Sequence, residues 1–180
     1  MSKIGRKPIS FGDVKVEVKG QEVHYKGKNH SGAYFLPDFL IAKVEDHKLS
    51  LLLKEGVKDK NNLWGMHRAL LANVLHGAAK DFELLVEITG LGFKGTLSGN
   101  KITFALGYSH KIDLELPKDI KVSIDKTGQK LTFSSFDKER LGQICAKIRS
   151  LRPPEPYKLT GIKVAGEVVH KKAGKAKGAE

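Results

Sequence analysis

The sequence repeats itself weakly at a spacing of 79 to 80 residues, and this repeat restricts the possible folds more than any other feature. The turn at Gly20 matches a turn at Gly99, and Pro37 matches Pro117. Around these points both halves contain short runs that alternate apolar and polar residues, as half-buried strands do, and each half then has one helical pattern. The repeat predicts an α+β fold with two tandem domains of like topology, each an antiparallel sheet with one helix packed across it, followed by a basic C-terminal tail.

The expected boundaries follow from the repeat and from a change of composition near the end of the chain. Residues 1–81 form the first α+β domain with an N-terminal basic arm, residues 82–169 form the second, and residues 170–180 form a Lys-rich tail. The tail has no apolar periodicity, so we expect it to be disordered on its own.

Two segments have the apolar spacing of amphipathic helices. The first covers residues 63–79, and Gly77 is its expected stop. The second covers residues 138–149 or slightly more, with Asp137 as N-cap and Pro153-Pro154 as terminator. Its expected buried stripe consists of Leu141, Ile144, Cys145 and Ile148.

Positive charge is concentrated in two parts of the chain, whose formal net charge is +12. Residues 1–20 hold five cations against two anions, residues 21–90 hold nine of each, and residues 91–180 hold eighteen cations against nine anions. An excess confined to one module suits a polyanion, because each neutralised phosphate releases condensed counterions. A solvated basic surface is the plainer alternative. An anionic membrane is disfavoured, since no basic amphipathic helix with an aromatic face is evident.

Several classes of protein are excluded by composition and by the N-terminal sequence. No run approaches the ~18 apolar residues of a membrane span, and the charged N-terminus lacks the apolar stretch of a secretory signal. Cys145 is the single cysteine, so no internal disulfide and no Cys-rich zinc site can form. We therefore expect a soluble, cytosolic protein without membrane contact.

The motifs that could indicate catalysis lack the required context. Residues 90–95 read GxGxxG after a strand-like run, but the residues that follow alternate like a strand, whereas a dinucleotide site needs a helix there. The segment is expected to be a glycine-rich strand or bulge that another backbone can approach closely. The seven histidines show no metal-ligand spacing. Cys145 lies on an apolar stripe, and only a triad assembled from distant residues stays open. We expect no enzyme, no cofactor, no metal and no small-molecule substrate.

The cations of the second half are arranged for binding. Lys138, Lys147, Arg149 and Arg152 lie on or just past the second predicted helix, away from its apolar stripe. Lys158 and Lys163 follow on a proline-braced segment beside Tyr157. An extended chain with spaced cations can follow a phosphate backbone, and a tyrosine can stack on a base or donate a hydrogen bond. Each residue alone fits a solvated surface, but the group favours nucleic-acid binding.

Several segments together resemble the large-subunit ribosomal protein L-six family of bacterial type, along almost the whole chain. The similar segments are residues 1–9, 66–71, 90–94, 107–110 and, most specifically, 148–158 followed by Gly161-Ile162. The family usually continues Tyr157-Lys158 with Gly-Lys, where this chain has Leu159 and Thr160. The replacement removes one expected cation and one flexible position.

The resemblance implies a structural rRNA-binding protein of the cytoplasmic ribosome. It implies two α+β domains, with the second as the main binder of 23S-type rRNA near the stalk base and the sarcin–ricin region, beside neighbouring large-subunit proteins. Position by position, it implies rRNA contacts at these residues: Lys94, Arg149, Arg152, Tyr157, Lys158 and Lys163. Contacts at Lys138, Lys147, Lys171, Lys172, Lys175 and Lys177 rest on charge alone. The alternative is a protein–protein adaptor that acts through the neutral first domain, and an enzyme ranks third.

Overall fold

The computed structural model describes residues 2–45, 47–54 and 60–175, which form thirteen strands and two helices. The chain divides into two compact units, residues 1–82 with 136–138, and residues 83–135 with 139–180. The elements of the first half are β1 (Ile9–Ser10), β2 (Lys15–Lys19), β3 (Glu22–Lys26), β4 (Ser31–Phe35), β5 (Leu40–Glu45), β6 (Lys48–Leu53) and α1 (Asn61–Ala79). Those of the second half are β7 (Phe82–Thr89), β8 (Lys94–Ser98), β9 (Lys101–Ala105), β10 (Ile112–Glu115), β11 (Lys121–Ile124), β12 (Lys130–Ser135), α2 (Lys138–Leu151) and β13 (Gly161–Val164).

The two halves have the same topology apart from one added strand. The first has sheets in the orders β2-β3-β4 and β1-β6-β5, and the second has β8-β9-β10 and β7-β12-β11 in the corresponding places. The predicted α+β fold with antiparallel sheets and two helices is confirmed. Strand β13 has no counterpart among the described residues of the first half. It pairs with β7 in antiparallel register, so the chain after α2 covers an edge that would otherwise stay open.

The turns that the repeat matches, at Pro37 and Pro117, have the same backbone hydrogen bond. The backbone N–H of Leu40 donates to the carbonyl of Pro37 at 3.0 Å, and that of Ile120 donates to Pro117 at 3.2 Å. Each proline occupies the first position of its turn. The spacing of 80 residues therefore marks equivalent structural positions and not a chance match.

Helix α1 packs its apolar stripe into the core of the first unit. Trp64, Leu71 and Leu75 are buried, and the indole Nε1 of Trp64 donates to the carbonyl of Leu51 at 3.0 Å. The expected stop at Gly77 is wrong, because the helix continues through it to Ala79. Gly77 is buried against the backbone of Phe136, where a side chain would have no room. Close packing, and not helix termination, requires glycine there.

Helix α2 supplies the core of the second unit and ends where the prolines begin. It runs to Leu151, slightly past the expected residue 149, and Pro153-Pro154 prevents its continuation. Leu141, Cys145 and Ile148 are buried as predicted, while Ile144 is half-buried. Burial raises the pKa of the Cys145 thiol to about 11, so this cysteine behaves as a small apolar residue. Neither helix, among the residues described, has the length and apolar character to cross a membrane.

Candidate nucleic-acid interface

The glycine-rich segment forms a loop between two strands. Strand β7 ends at Thr89, and Gly90 and Gly92 both have positive φ, at 153° and 74°. Lys94 then opens β8 with its side chain exposed. A strand follows, as predicted, so no helix N-terminus is present to hold a pyrophosphate. The loop instead presents a fully exposed Leu91.

Arg152 connects this loop to two other segments of the second unit. Its guanidinium carbon lies 4.8 Å from the ring centroid of Phe93 and 5.1 Å from that of Tyr108. Its Nη1 donates to the backbone carbonyl of Leu106. Each stacked contact contributes about 0.5–2 kcal/mol, according to how far the cation is desolvated. One side chain thus holds the glycine loop, the turn after β9 and the end of α2 together.

Arg152 was predicted as an rRNA contact, and that role stays a prediction. Its side chain is half-buried, and its flat guanidinium already serves internal contacts. The contacts with Phe93 and Tyr108 account for the residue without any external ligand. The sequence could not indicate this, since the two rings are far from Arg152 along the chain.

Tyr108 and His110 are exposed residues of the same cluster that the sequence did not single out as site residues. The Tyr108 hydroxyl donates to the carbonyl of Leu151 at 3.1 Å, and its side chain is 46% exposed. The ring of His110 lies 6.2 Å from the ring of Tyr108, centroid to centroid, at an interplanar angle of 22°. The resemblance of residues 107–110 to the family was the one signal that could have drawn attention to them.

Two residues predicted to contact rRNA, Arg149 and Lys163, form ion pairs with carboxylates of the protein itself. Arg149 donates from Nε and Nη2 to Glu167 at 2.8 and 2.5 Å, which lowers the pKa of Glu167 and raises that of Arg149. The Lys163 ammonium lies 2.8 Å from Glu87 and lowers the pKa of that carboxyl. Both pairs attach the chain around β13 to α2 and β7. Contact with rRNA at either cation stays a prediction, and both cations have a structural role in the free protein.

Tyr157 and Lys158 lie at the tip of a loop that closes on itself. The N–H of Glu155 donates to the carbonyl of Thr160, and the N–H of Leu159 donates back to Glu155, both at 2.9 Å. Leu159 has φ of 59°, the left-handed conformation that glycine adopts most easily. The loop therefore holds leucine in the geometry expected of the family's glycine. It leaves Tyr157 50% exposed and Lys158 exposed.

The remaining predicted cations differ in their surroundings. Lys147 is exposed one turn before the end of α2, and Lys171 and Lys172 are exposed after β13. The backbone N–H of Lys172 donates to the carbonyl of Pro156 at 2.9 Å, which keeps the start of the tail beside the tip loop. The ammonium of Lys138 lies 5.7 Å from the Phe82 ring centroid, and Lys138 is grouped with the first unit. Lys175 is exposed, and Lys177 lies outside the described residues.

Some lysines predicted to contact rRNA are exposed on the second unit and have no ion-pair partner among the described residues. We call this group the basic surface. Its members are Lys94, Lys147, Lys158, Lys171, Lys172 and Lys175. A cation without a carboxylate beside it keeps its full charge for an external anion. Within the part of the chain that the structure describes, no group of three or more His, Cys, Asp or Glu side chains is placed to hold a metal ion.

Three residues of this surface, Lys94, Lys147 and Lys158, lie in a segment that matches a known family. Residues 89–165 match the model of the family described as Ribosomal protein L6. Proteins named large ribosomal subunit protein uL6 are similar over nearly the whole chain, with 38% identity in Methylorubrum extorquens (strain PA1), 37% in Beijerinckia indica subsp. indica and 39% in Bartonella henselae. Each alignment spans 178 residues, which is 98% of this chain and 100% of the relative.

The chain belongs to the ribosomal protein L6 family. This confirms the resemblance stated from the motifs, and the match covers both units. The proteins of this family are structural ribosomal proteins and not enzymes, so the expectation of a non-enzymatic protein is confirmed. The predicted cytoplasmic, ribosomal location follows from the same membership.

Proposed function

We propose that this protein is a structural component of the large ribosomal subunit that binds 23S-type rRNA mainly through its second unit. The proposed place is near the stalk base and the sarcin–ricin region, where translational GTPases dock, with neighbouring large-subunit proteins as further partners. The basic surface is the observation that carries the proposal. No described carboxylate pairs with its lysines, whereas the charges of Arg149 and Lys163 are balanced by Glu167 and Glu87.

The proposed mechanism is electrostatic binding without turnover. Lysines of the basic surface contact phosphates of folded RNA, and the counterions released drive association. The two sheets and α2 form a rigid support, and the contacts of Arg152 fix the loops between them. Because side chains cannot enter the deep groove of an RNA helix, shape decides most of the specificity at paired regions.

A salt titration of the full-length protein with large-subunit rRNA tests this proposal. Replacing Lys147 and Lys158 by Gln should weaken binding and lower the slope of log affinity against log salt by about 1.4–1.8, since each phosphate contributes about 0.7–0.9. The matched control is Lys15→Gln with Lys26→Gln, which removes two exposed charges that face each other across β2 and β3 in the first unit. The control should leave the slope unchanged.

Comparing the two variants shows whether binding depends on the basic surface or on the total positive charge of the protein. An unchanged slope in the Lys147 and Lys158 variant would remove these residues from the interface. An equal loss in both variants would mean that the first unit binds as strongly as the second. The position within the subunit needs a second measurement, in which lysine–nucleotide crosslinks are mapped in the intact particle. Crosslinks from Lys158 that fall far from the sarcin–ricin region would contradict the proposed place.

A further inference from the structure

We infer that Tyr108 and His110 form a stacking platform for one unpaired nucleobase of the rRNA. This inference rests on the proposed function. The basic surface contacts phosphates, and the platform adds a contact to a base. It concerns the turn between β9 and β10, in which residues 107–111 are exposed although two of them carry rings.

Tyr108 is fixed in a way that leaves its ring, and not its hydroxyl, available to a ligand. The hydroxyl is already used in the hydrogen bond to Leu151 at 3.1 Å. The guanidinium of Arg152 lies over the ring, 5.1 Å from its centroid. Nearly half of the side chain is nevertheless exposed. Part of the ring is therefore accessible to a further planar group.

Four planar groups follow one another in this cluster. Phe93 contacts Arg152, Arg152 contacts Tyr108, and Tyr108 lies nearly parallel to His110. The series begins in the half-buried Phe93 and ends in the exposed His110. A nucleobase is a planar aromatic group of similar size and can extend such a series by stacking. The ring of Tyr108 is held before binding by Leu151 and Arg152, so its side chain loses little entropy when a base arrives.

The charge around the platform suits a nucleotide. Residues 107–111 contain no carboxylate, and Lys111 is exposed next to His110. Asp113, the next acidic residue along the chain, is held by the Lys101 ammonium at 3.0 Å and by the Thr103 hydroxyl at 2.7 Å. A base that stacks here can therefore bring its phosphate close without facing an unpaired anion. An unpaired base is required because a paired base hides its faces within the helix.

The test compares two neighbouring substitutions in the full-length protein, with large-subunit rRNA as the ligand. His110→Ala leaves the contact between Tyr108 and Arg152 in place. It should weaken binding roughly fivefold to a hundredfold without changing the salt slope, because a lost stack releases no counterion. Lys111→Gln is the matched control: it removes a charge and no ring, so it should not reproduce a loss of affinity at an unchanged slope. Tyr108→Leu should weaken binding at least as much as His110→Ala.

Ultraviolet crosslinking of intact large subunits is a second, direct test of the stacking platform. A nucleotide crosslinked to Tyr108 or His110, identified by mass spectrometry, is the expected result. Wild-type affinity in both ring variants, with crosslinks confined to other segments, would overturn the platform while leaving the proposed function intact. Failure of the unsubstituted protein to bind the rRNA would overturn the proposed function itself, and the platform with it.

Discussion

Arg149 holds Glu167 in a two-pronged ion pair, with its Nε and Nη2 atoms 2.8 and 2.5 Å from the two carboxylate oxygens. The two residues are 18 positions apart, one on α2 and the other after β13. Glu167 also accepts a hydrogen bond from the backbone N–H of Val164 at 3.4 Å. Two parallel hydrogen bonds give this pair more specific geometry than a single contact would. The pair therefore fastens the added strand to the helix.

Replacing Glu167 by Gln should lower the free energy of unfolding by about 1 kcal/mol near neutral pH, a value limited by the partial exposure of both groups. Arg149 lowers the pKa of Glu167, so the folded state favours the ionised carboxylate. This stabilisation is complete above the ordinary pKa of a glutamate and is lost as the pH falls through the lowered value. Urea unfolding followed by circular dichroism should show a difference between the two proteins that shrinks as the pH falls below the ordinary range of a glutamate. A difference that persists in acid would contradict the pairing as its cause.

The positive φ of Leu159 predicts that glycine is more stabilising than alanine at this position. At a φ of 59° a Cβ is crowded by the following carbonyl, which costs about 1 kcal/mol. Leu159→Gly should therefore be more stable than Leu159→Ala by about that amount, the reverse of the order at most positions. Denaturant unfolding of the two variants measures the difference. The same two substitutions at Thr160, which lacks positive φ, should not favour Gly, and a preference for Ala at 159 would contradict the strain.

The sequence predicted the elements well because their signal is local. Apolar spacing along α2 identified Leu141, Cys145 and Ile148, and the 80-residue repeat identified the matching turns at Pro37 and Pro117. The stop at Gly77 failed because a glycine at a helix end and a glycine under a packed backbone look the same in one sequence.

The candidate site was less predictable, since its chemistry depends on contacts between distant residues. Counting charges could not show that Glu167 neutralises Arg149 or that Glu87 neutralises Lys163. Nor could it show that Arg152 lies between two rings. Exposed aromatic residues in a turn carry no periodic signal, so Tyr108 was noticed only as part of a family motif.

A substitution at Gly5 should be detected by the single tryptophan of the chain. A Cβ at Gly5 would lie 2.7 Å from Cε2 of Trp64, so Gly5→Ala must displace the indole or the N-terminal arm. Such overpacking costs about 1–3 kcal/mol. We expect a change in tryptophan fluorescence and a lower unfolding midpoint. Gly142→Ala is the control, because it lies within α2 with nothing within 4 Å and should stabilise the helix by about 0.5–1 kcal/mol. Unchanged fluorescence in Gly5→Ala would contradict the contact.

The role of Arg152 can be decided by a substitution that keeps its charge. Lysine can still meet a phosphate, but it lacks the planar guanidinium that lies over Phe93 and Tyr108. Arg152→Lys should therefore lower the free energy of unfolding by about 1–2 kcal/mol and weaken rRNA binding while leaving the salt slope unchanged. Lys158→Gln should instead lower the salt slope. It should have little effect on stability, because the side chain of Lys158 is exposed. Thermal unfolding and salt titration on the same two proteins separate these effects. If Arg152→Lys were as stable as the unsubstituted protein, the stacking would not organise the loops, and a direct phosphate contact would become the better account of this arginine.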